Sequence, residues 1–270
     1  MLVTVDTGGT KTLVANFEHD GTVGKIIKFA TPKDTHEYIA LLKQTIQQNY
    51  DVKDIEALIV AMPGIVKDGI AIWCNHLQWT NFDIRPAFKD ILGETPILVE
   101  NDANLAGLAE TRVLDPMPVS SLYVTISTGI GTGITTNGHI DPGLRLSEGG
   151  LMQVEFKGKV LQWEDFASGY SIKEVYGAYA KDITDEKSWT DIADRISRGF
   201  LACIPLLQPE VIIIGGSIGT YFTRYSQKLE HILQKKLPSH ISCPRFEQAR
   251  HPEQAVIYGC YYYALDSLTH

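Results

Sequence analysis

Nothing in this chain reads as a membrane span, a metal-finger framework or a nucleic-acid surface. No apolar stretch approaches the roughly 20 residues that a spanning helix needs. Cysteine is scarce: Cys74, Cys203, Cys243 and Cys260 stand alone, with no CxxC spacing among them. That argues against a zinc cluster and a disulfide scaffold, and for a reduced, cytoplasmic setting. Lys and Arg total 24 against 32 Asp and Glu, a net charge of -8, and no basic block stands out. Neutralising nucleic-acid phosphates needs clustered cations, so no nucleic-acid partner is expected. The opening MLVTVDTGG lacks the basic and apolar regions of a signal peptide. The P-loop pattern GxxxxGK[ST] is absent as well. At 270 residues and 44% hydrophobic, the chain can build one large domain or two modest ones.

What is present is a motif stated twice. Residues 3–15 read VTVDTGGTKTLVA and residues 124–136 read VTISTGIGTGITT. Val3, Thr4, Thr7 and Gly8 align with Val124, Thr125, Thr128 and Gly129. Each copy is a β-rich run on both sides of a Gly/Thr turn, which predicts two hairpins with glycine-rich tips. Either these are ordinary turns, or Gly8, Gly9, Thr10 and Lys11 in one and Thr128 and Gly129 in the other clamp a polyphosphate through backbone N–H groups.

Strands alternate with helices elsewhere, which predicts α/β architecture. VTVD, TLVANFE and VGKIIKFA read as successive strands, ALIVAM (57–62) and ILVEND (97–102) as buried ones. The spacing predicts helices over 34–48, 192–207, 219–236 and 255–268, and another in ANLAGLAE. EVIIIGGS reads as a strand with a glycine turn. No Pro/Ser linker divides the halves. The expected lobes are 1–112 with 255–270, and 113–254.

Chemistry concentrates at strand ends. Asp6 closes the first strand; it is a simple turn opener or a ligand, direct or through water, for Mg²⁺. Glu100-Asn101-Asp102-Ala103-Asn104 follows an apolar strand and opens a helix. A cap needs one such residue, whereas four of these five are polar. Asp102 is a candidate general base for a hydroxyl, and Asn101 could bond a neighbouring hydroxyl. Gly215 and Gly216 either make a tight βα turn or let an adenosine lie against backbone.

Together these segments resemble the ROK family (repressors, open reading frames and kinases) of sugar kinases, along nearly the whole chain. DTGGTK resembles the family's first phosphate motif and STGIGTGI its second. AMPGIV (61–66) resembles its GxPGxV turn, and NHLQWTNFDI (75–84) its asparagine–tryptophan segment. ENDANLAGLAE resembles its catalytic signature, IIIGGSIG its adenosine segment, and AVIYGCYYYAL its closing helix. The resemblance implies a two-lobed actin/hexokinase-like (ribonuclease H-like) fold with an interlobe cleft, and an ATP-dependent kinase using Mg²⁺. It implies a homodimer. Asp102 takes the base position, and Gly64, Asn75, Asn101, Glu148 and Glu164 the sugar-binding positions. Asp6, Gly8, Gly9, Thr10, Lys11, Thr128, Gly129, Gly215 and Gly216 take the nucleotide positions. Lobe closure would exclude water from the reaction.

One stretch departs from the family. Where the family reads G-E-x-G-H, then a cysteine-rich zinc loop, then C-L-E-x-Y-A-S-G, this chain reads SEGGL (147–151) and QWEDFASG (162–169). Both glutamates remain. Leu151 replaces the histidine and the zinc cysteines are absent, so no zinc is expected. A short hairpin with Gly158 at its tip, setting Val154 and Phe156 against Val160 and Trp163, is expected in place of the metal loop.

The expected activity is phosphorylation of a hexose hydroxyl, glucokinase-like, at the hydroxymethyl oxygen. N-acetylmannosamine, N-acetylglucosamine and fructose are alternative substrates, and a non-catalytic sugar-binding homologue is the alternative role. A repressor of this family carries a helix-turn-helix ahead of the first phosphate motif, for which Asp6 leaves no room. The related N-acetylglucosamine kinase/BadF group also opens with a DTGGTKT-like motif, but ENDAN fits the ROK pattern better. His76 could lie near the sugar pocket, and Tyr261-Tyr262-Tyr263 reads as packing.

Overall fold

The structure is a computed structural model that describes residues 1–251 and 254–268, apart from the side chain of Asn75. The chain divides into two compact units, Met1–Ala109 with Gln254–His270, and Glu110–Glu253.

In the first unit, β1 (Leu2–Thr7), β2 (Lys11–Phe17) and β3 (Ile27–Ala30) form an antiparallel meander. Then β4 (Ala57–Met62) and β8 (Ile97–Asn101) add in parallel, giving the order β3-β2-β1-β4-β8. β4 is buried at all six positions, as a parallel strand covered on both faces must be. A separate antiparallel sheet holds β5 (Ile65–Lys67), β6 (Ile70–Cys74) and β7 (Trp79–Phe82). Helix α1 (Thr35–Asn49) starts where Asp34 accepts the N–H groups of His36 and Glu37, and buries Tyr38, Leu42 and Ile46 at helical spacing. α2 (Arg85–Leu92), α3 (Asp102–Arg112) and α9 (Ala255–Leu268) complete the set. Val5, Val14, Tyr38, Leu58, Val60 and Phe88 form the core.

The second unit repeats the plan. β9 (Ser120–Ile126), β10 (Ile130–Thr136) and β11 (His139–Ile140) form the meander, and β14 (Val211–Gly215) and β15 (Arg245–Gln248) add in parallel. The order β11-β10-β9-β14-β15 matches the first sheet strand for strand. The two glycine-tipped motifs therefore occupy the same place, between the first two strands of each sheet. Val124, Ile126, Trp163, Ile196, Phe200 and Ile214 lie in its core.

Local expectations were revised in three places. α6 (Glu186–Leu207) starts six residues before the predicted Ile192, because Asp185 accepts the N–H of Ser188 and Trp189 extends the buried stripe of Ile192, Ile196 and Phe200. The predicted 219–236 helix is broken into α7 (Gly216–Gly219), a 3-10 turn and α8 (Ser226–Lys236). Arg224 donates to the carbonyl of Ile183 at 2.6 Å and Tyr225 stacks on Trp189, contacts that a continuous helix would not deliver. The hairpin of β12 (Gln153–Phe156) and β13 (Lys159–Gln162) turns through Lys157 and Gly158, both at positive φ, as a two-residue turn demands. Its register pairs Val154 with Leu161, so Val160 faces outward, 68% exposed. Trp163 instead opens α4 (Trp163–Ala167), buried against Phe200 and followed by α5 (Gly169–Tyr176).

Cys74, Cys203, Cys243 and Cys260 are free thiols. Among the described residues no helix is long and apolar enough to cross a membrane.

Candidate active site

Strand register gathers the first unit's motifs. β1, β4 and β8 are parallel neighbours, with Asp6 level with Ala61, Ala61 with Glu100, and Met62 with Asn101. The Asp6–Lys11 turn, the Pro63-Gly64 turn and Asn101-Asp102 thus leave the same, C-terminal edge of adjacent strands. That edge is where ligands bind in open α/β sheets.

The first glycine turn is held by its carbonyls. Gly8 O accepts the hydroxyl of Thr31 at 2.8 Å, Thr10 O accepts the N–H of Thr31 at 3.1 Å, and Gly9 O accepts the ammonium of Lys33 at 3.3 Å. The Gly8 N–H closes the turn on Lys11 O at 2.9 Å. The N–H groups of Gly9 and Thr10 meet no protein acceptor among the described residues, and Thr10 is exposed. With three successive carbonyls tied down on one side, the turn offers donors on the other, the arrangement that suits an anion. Asp6 stands at its base. Burial pushes its carboxyl up to about 6, and the charge of Lys11 pulls the other way. Beside it the Thr7 and Tyr38 hydroxyls bond at 2.6 Å.

At the edge of β8, Asn101 Oδ1 accepts the N–H of Asn104 at 2.9 Å, so Asn101 caps α3. Its Nδ2 donates to Gly64 O at 2.7 Å, which leaves one amide hydrogen for a ligand. Gly64 has φ +83°, and a Cβ there would lie 2.1 Å from Trp73 O, so only glycine fits. Glu100 is fully buried and accepts both the Asn101 N–H at 2.8 Å and the Asn104 amide at 3.0 Å. Asp102 remains part-exposed, its Oδ1 accepting the Ala103 N–H at 2.8 Å. Glu100 is thus a framework residue, and Asp102 is the carboxylate of the pair that reaches solvent.

The second unit assembles around the other glycine turn. The Ser127 N–H bonds Gly129 O at 2.9 Å, and Ser127 O accepts the Gly169 N–H at 2.6 Å. Glu164 Oε2 accepts the Ile130 N–H at 3.1 Å. Thr132 Oγ1 accepts the Gly149 N–H at 3.0 Å, and a Cβ on Gly150 would lie 2.1 Å from Ile130 O. The EGG run therefore presses onto β10 and brings Glu148 beside Glu164. Burial, with the Glu164 charge adding, pushes the Glu148 carboxyl up to about 7. Gly216, at φ +75°, leaves β14 against Ile126 O, beside the end of β9. Gly215 pairs with Thr125.

The acids of residues 145–169 divide by role. Glu148 and Glu164 form a pair, Asp165 accepts the Gln162 N–H in a capping box, and Glu155 accepts the Gly158 N–H at the hairpin tip. Among the described residues no group of three or more His, Cys, Asp or Glu is placed to hold a metal. The side chain of Asn75 lies outside the described residues. Thr31 and Lys33 support the first turn from outside every motif, through contacts across 23 and 24 positions. Ser127 and Thr132 lie within the second glycine-tipped motif, but their supporting contacts, to Gly169 and Ser147, leave no trace in it.

The profile of the ROK family matches residues 2–267. An N-acetylmannosamine kinase of Haemophilus influenzae (strain PittEE) is 28% identical over 300 residues, covering 98% of this chain and 95% of its own length. The Lmo2764 protein of Listeria monocytogenes superposes with TM-score 0.82 at 26% identity, over 99% of both chains. A ROK family glucokinase of Streptomyces griseus, solved with glucose and AMPPNP, superposes with TM-score 0.83 at 19% identity, over 98% of this chain and 99% of its own. The fold is the two-lobed actin/hexokinase-like one, and the chain belongs to the ROK family.

Proposed function

We propose that this ROK-family, ATP-dependent sugar kinase transfers the γ-phosphoryl group of ATP to the hydroxymethyl oxygen of a hexose, with Asp102 as general base. The observation that carries the reading is the common C-terminal edge of β1, β4 and β8, which sets the donor-rich turn and the part-exposed Asp102 on one side of one sheet.

In this reading Asp102 accepts the proton of the attacking hydroxyl as the P–O bond forms. Asn101, with its remaining amide hydrogen, and the Glu148 and Glu164 carboxylates orient sugar hydroxyls; an ionised carboxylate is purely an acceptor and grips such donors. Gly64 and the segment at Asn75 complete the sugar contacts. The Gly9 and Thr10 N–H groups, with Lys11, hold phosphate oxygens, and Thr128 and Gly129 do the same from the second unit. Gly215 and Gly216 let the adenosine approach backbone. Phosphoryl transfer needs little beyond such positioning and charge stabilisation. Asp6 fits magnesium, which takes one or two protein carboxylates and completes its shell with water and phosphate oxygens. Bound there, Mg²⁺ would neutralise phosphate charge. We assign the protein to the cytoplasm as a homodimer, which fractionation and sedimentation test.

The test of activity is ADP release from Mg·ATP over a panel of hexoses and N-acetylhexosamines. Sugar-dependent turnover, lost in Asp102→Ala, is expected, with a hexose preferred. No turnover with any sugar from folded protein that binds ATP would remove the kinase reading, and preference for an N-acetylhexosamine would revise the substrate.

A further inference from the structure

Lys33 lies outside every motif, yet its ammonium reaches two backbone carbonyls from distant parts of the first unit. One is Gly9 O, in the glycine turn, at 3.3 Å. The other is His76 O, in the 3-10 turn Asn75–Leu77. These carbonyls lie 24 and 43 positions away along the chain. Two further contacts make the arrangement a built one. The indole N–H of Trp79, a buried residue, donates to Lys33 O at 2.6 Å and fixes the backbone from which the lysine reaches. A Cβ on Gly9 would lie 3.1 Å from His76 Cβ, so the two turns already touch.

We propose that Lys33 is a positioning residue that ties the nucleotide turn to the sugar-side segment at Asn75–Leu77, so that ordering one orders the other. The proposal rests on the reading that residues 7–11 hold the nucleotide phosphates. An ammonium shared by two carbonyls does two things. It removes Gly9 O from competition, so the Gly9 and Thr10 amides stay turned toward the anion. It also transmits any displacement of the turn directly to the His76 backbone. Lysine suits the task as a compact charge with three donors, and its exposed position lets it bind two acceptors without the cost of a buried, unpaired cation.

The experiment compares the full-length wild type with Lys33→Met and Lys33→Arg. Titration calorimetry with Mg·AMPPNP is combined with hydrogen–deuterium exchange, and Lys43→Met, which removes a surface ion pair with Asp90, serves as control. Lys33→Met is expected to weaken nucleotide binding about tenfold, the scale of one lost charge-assisted hydrogen bond. In the wild type and Lys43→Met, nucleotide slows exchange over both 8–11 and 75–79; in Lys33→Met the slowing at 75–79 disappears. Lys33→Arg, which can give two N–H groups to two carbonyls, stays within about threefold of the wild type and keeps both signals. Unchanged affinity in Lys33→Met, or slowing that persists at 75–79, overturns the tether. So does faster exchange throughout β1, β4 and β8, which would mean general loosening. If the wild type binds no nucleotide, the kinase reading fails on its own. The tether is then judged on the free protein, where Lys33→Met must speed exchange at 8–11 and 75–79 together.

Discussion

Glu164 Oε2 accepts the backbone N–H of Ile130 at 3.1 Å, so a proposed sugar ligand also pins the first residue after the second glycine turn. One carboxylate thereby serves two sites. Glu164→Ala should raise the sugar KM and weaken nucleotide binding together, each by about tenfold or more, since a charge-assisted bond contributes about 1.5–3 kcal/mol. Glu164→Gln keeps an acceptor for Ile130, so nucleotide affinity should stay within about threefold while the sugar KM still rises. Calorimetry and initial-rate kinetics separate these effects; an equal nucleotide loss in both variants would show that the turn does not depend on this acceptor.

Asp102 is proposed as the base, and its Oδ1 accepts the N–H of Ala103 at 2.8 Å. Asp102→Asn should lower kcat about 10²- to 10⁴-fold, the usual contribution of general base catalysis, with nucleotide affinity unchanged. Retention of more than a tenth of kcat would reassign the base.

Glu148 should give sugar binding a pH dependence near neutrality. Its carboxyl is pushed up to about 7 by burial and by Glu164. Only the ionised form is a pure acceptor, so sugar affinity should improve as pH rises through about 7. In Glu148→Gln that rise should vanish and the sugar KM should be high throughout. Competition with a nonreactive sugar analogue from about pH 5.5 to about pH 8.5 checks this directly.

The same group sets a stability trend of opposite direction. Its value is raised from 4.5 when unfolded to about 7 when folded, so the folded state holds the proton more tightly. The stability this gives is complete below about 4.5 and is lost as pH rises through about 7. Asp6, raised from 3.8 to about 6, acts alike over a lower window. Glu148→Gln should therefore melt higher than the wild type at pH ~8, by about 1–3 kcal/mol in stability, and about equally at pH ~4. A lower melting point at the alkaline end would mean that the charge of Glu148 is already compensated.

Asp6→Asn tests the magnesium assignment. It should weaken Mg·ATP binding at least tenfold while leaving metal-free ATP binding within about threefold, since one carboxylate is the expected protein ligand. In the wild type, Mg·ATP affinity should fall as pH drops through about 6. Equal losses with and without the metal would place Asp6 in a purely structural role.

The sequence by itself determined the plan: two glycine-tipped hairpins, strands at 57–62 and 97–102 (the second ending one residue earlier, at Asn101), an apolar helix over 255–268, and a part-polar strand end at Glu100–Asn104. These are legible because periodicity and turn chemistry are local, carried by neighbours a few positions apart. Tertiary structure alone decided the rest. Glu100 and Asp102 are chemically alike in sequence, but pairing of β8 with β4 buries the first and leaves the second at the edge. Val160 and Leu161 are both apolar, but a two-residue turn fixes which faces inward. Thr31 and Lys33 show no pattern at all, because bonds from side chain to backbone across more than 20 positions depend on where the chain passes and leave no periodic trace.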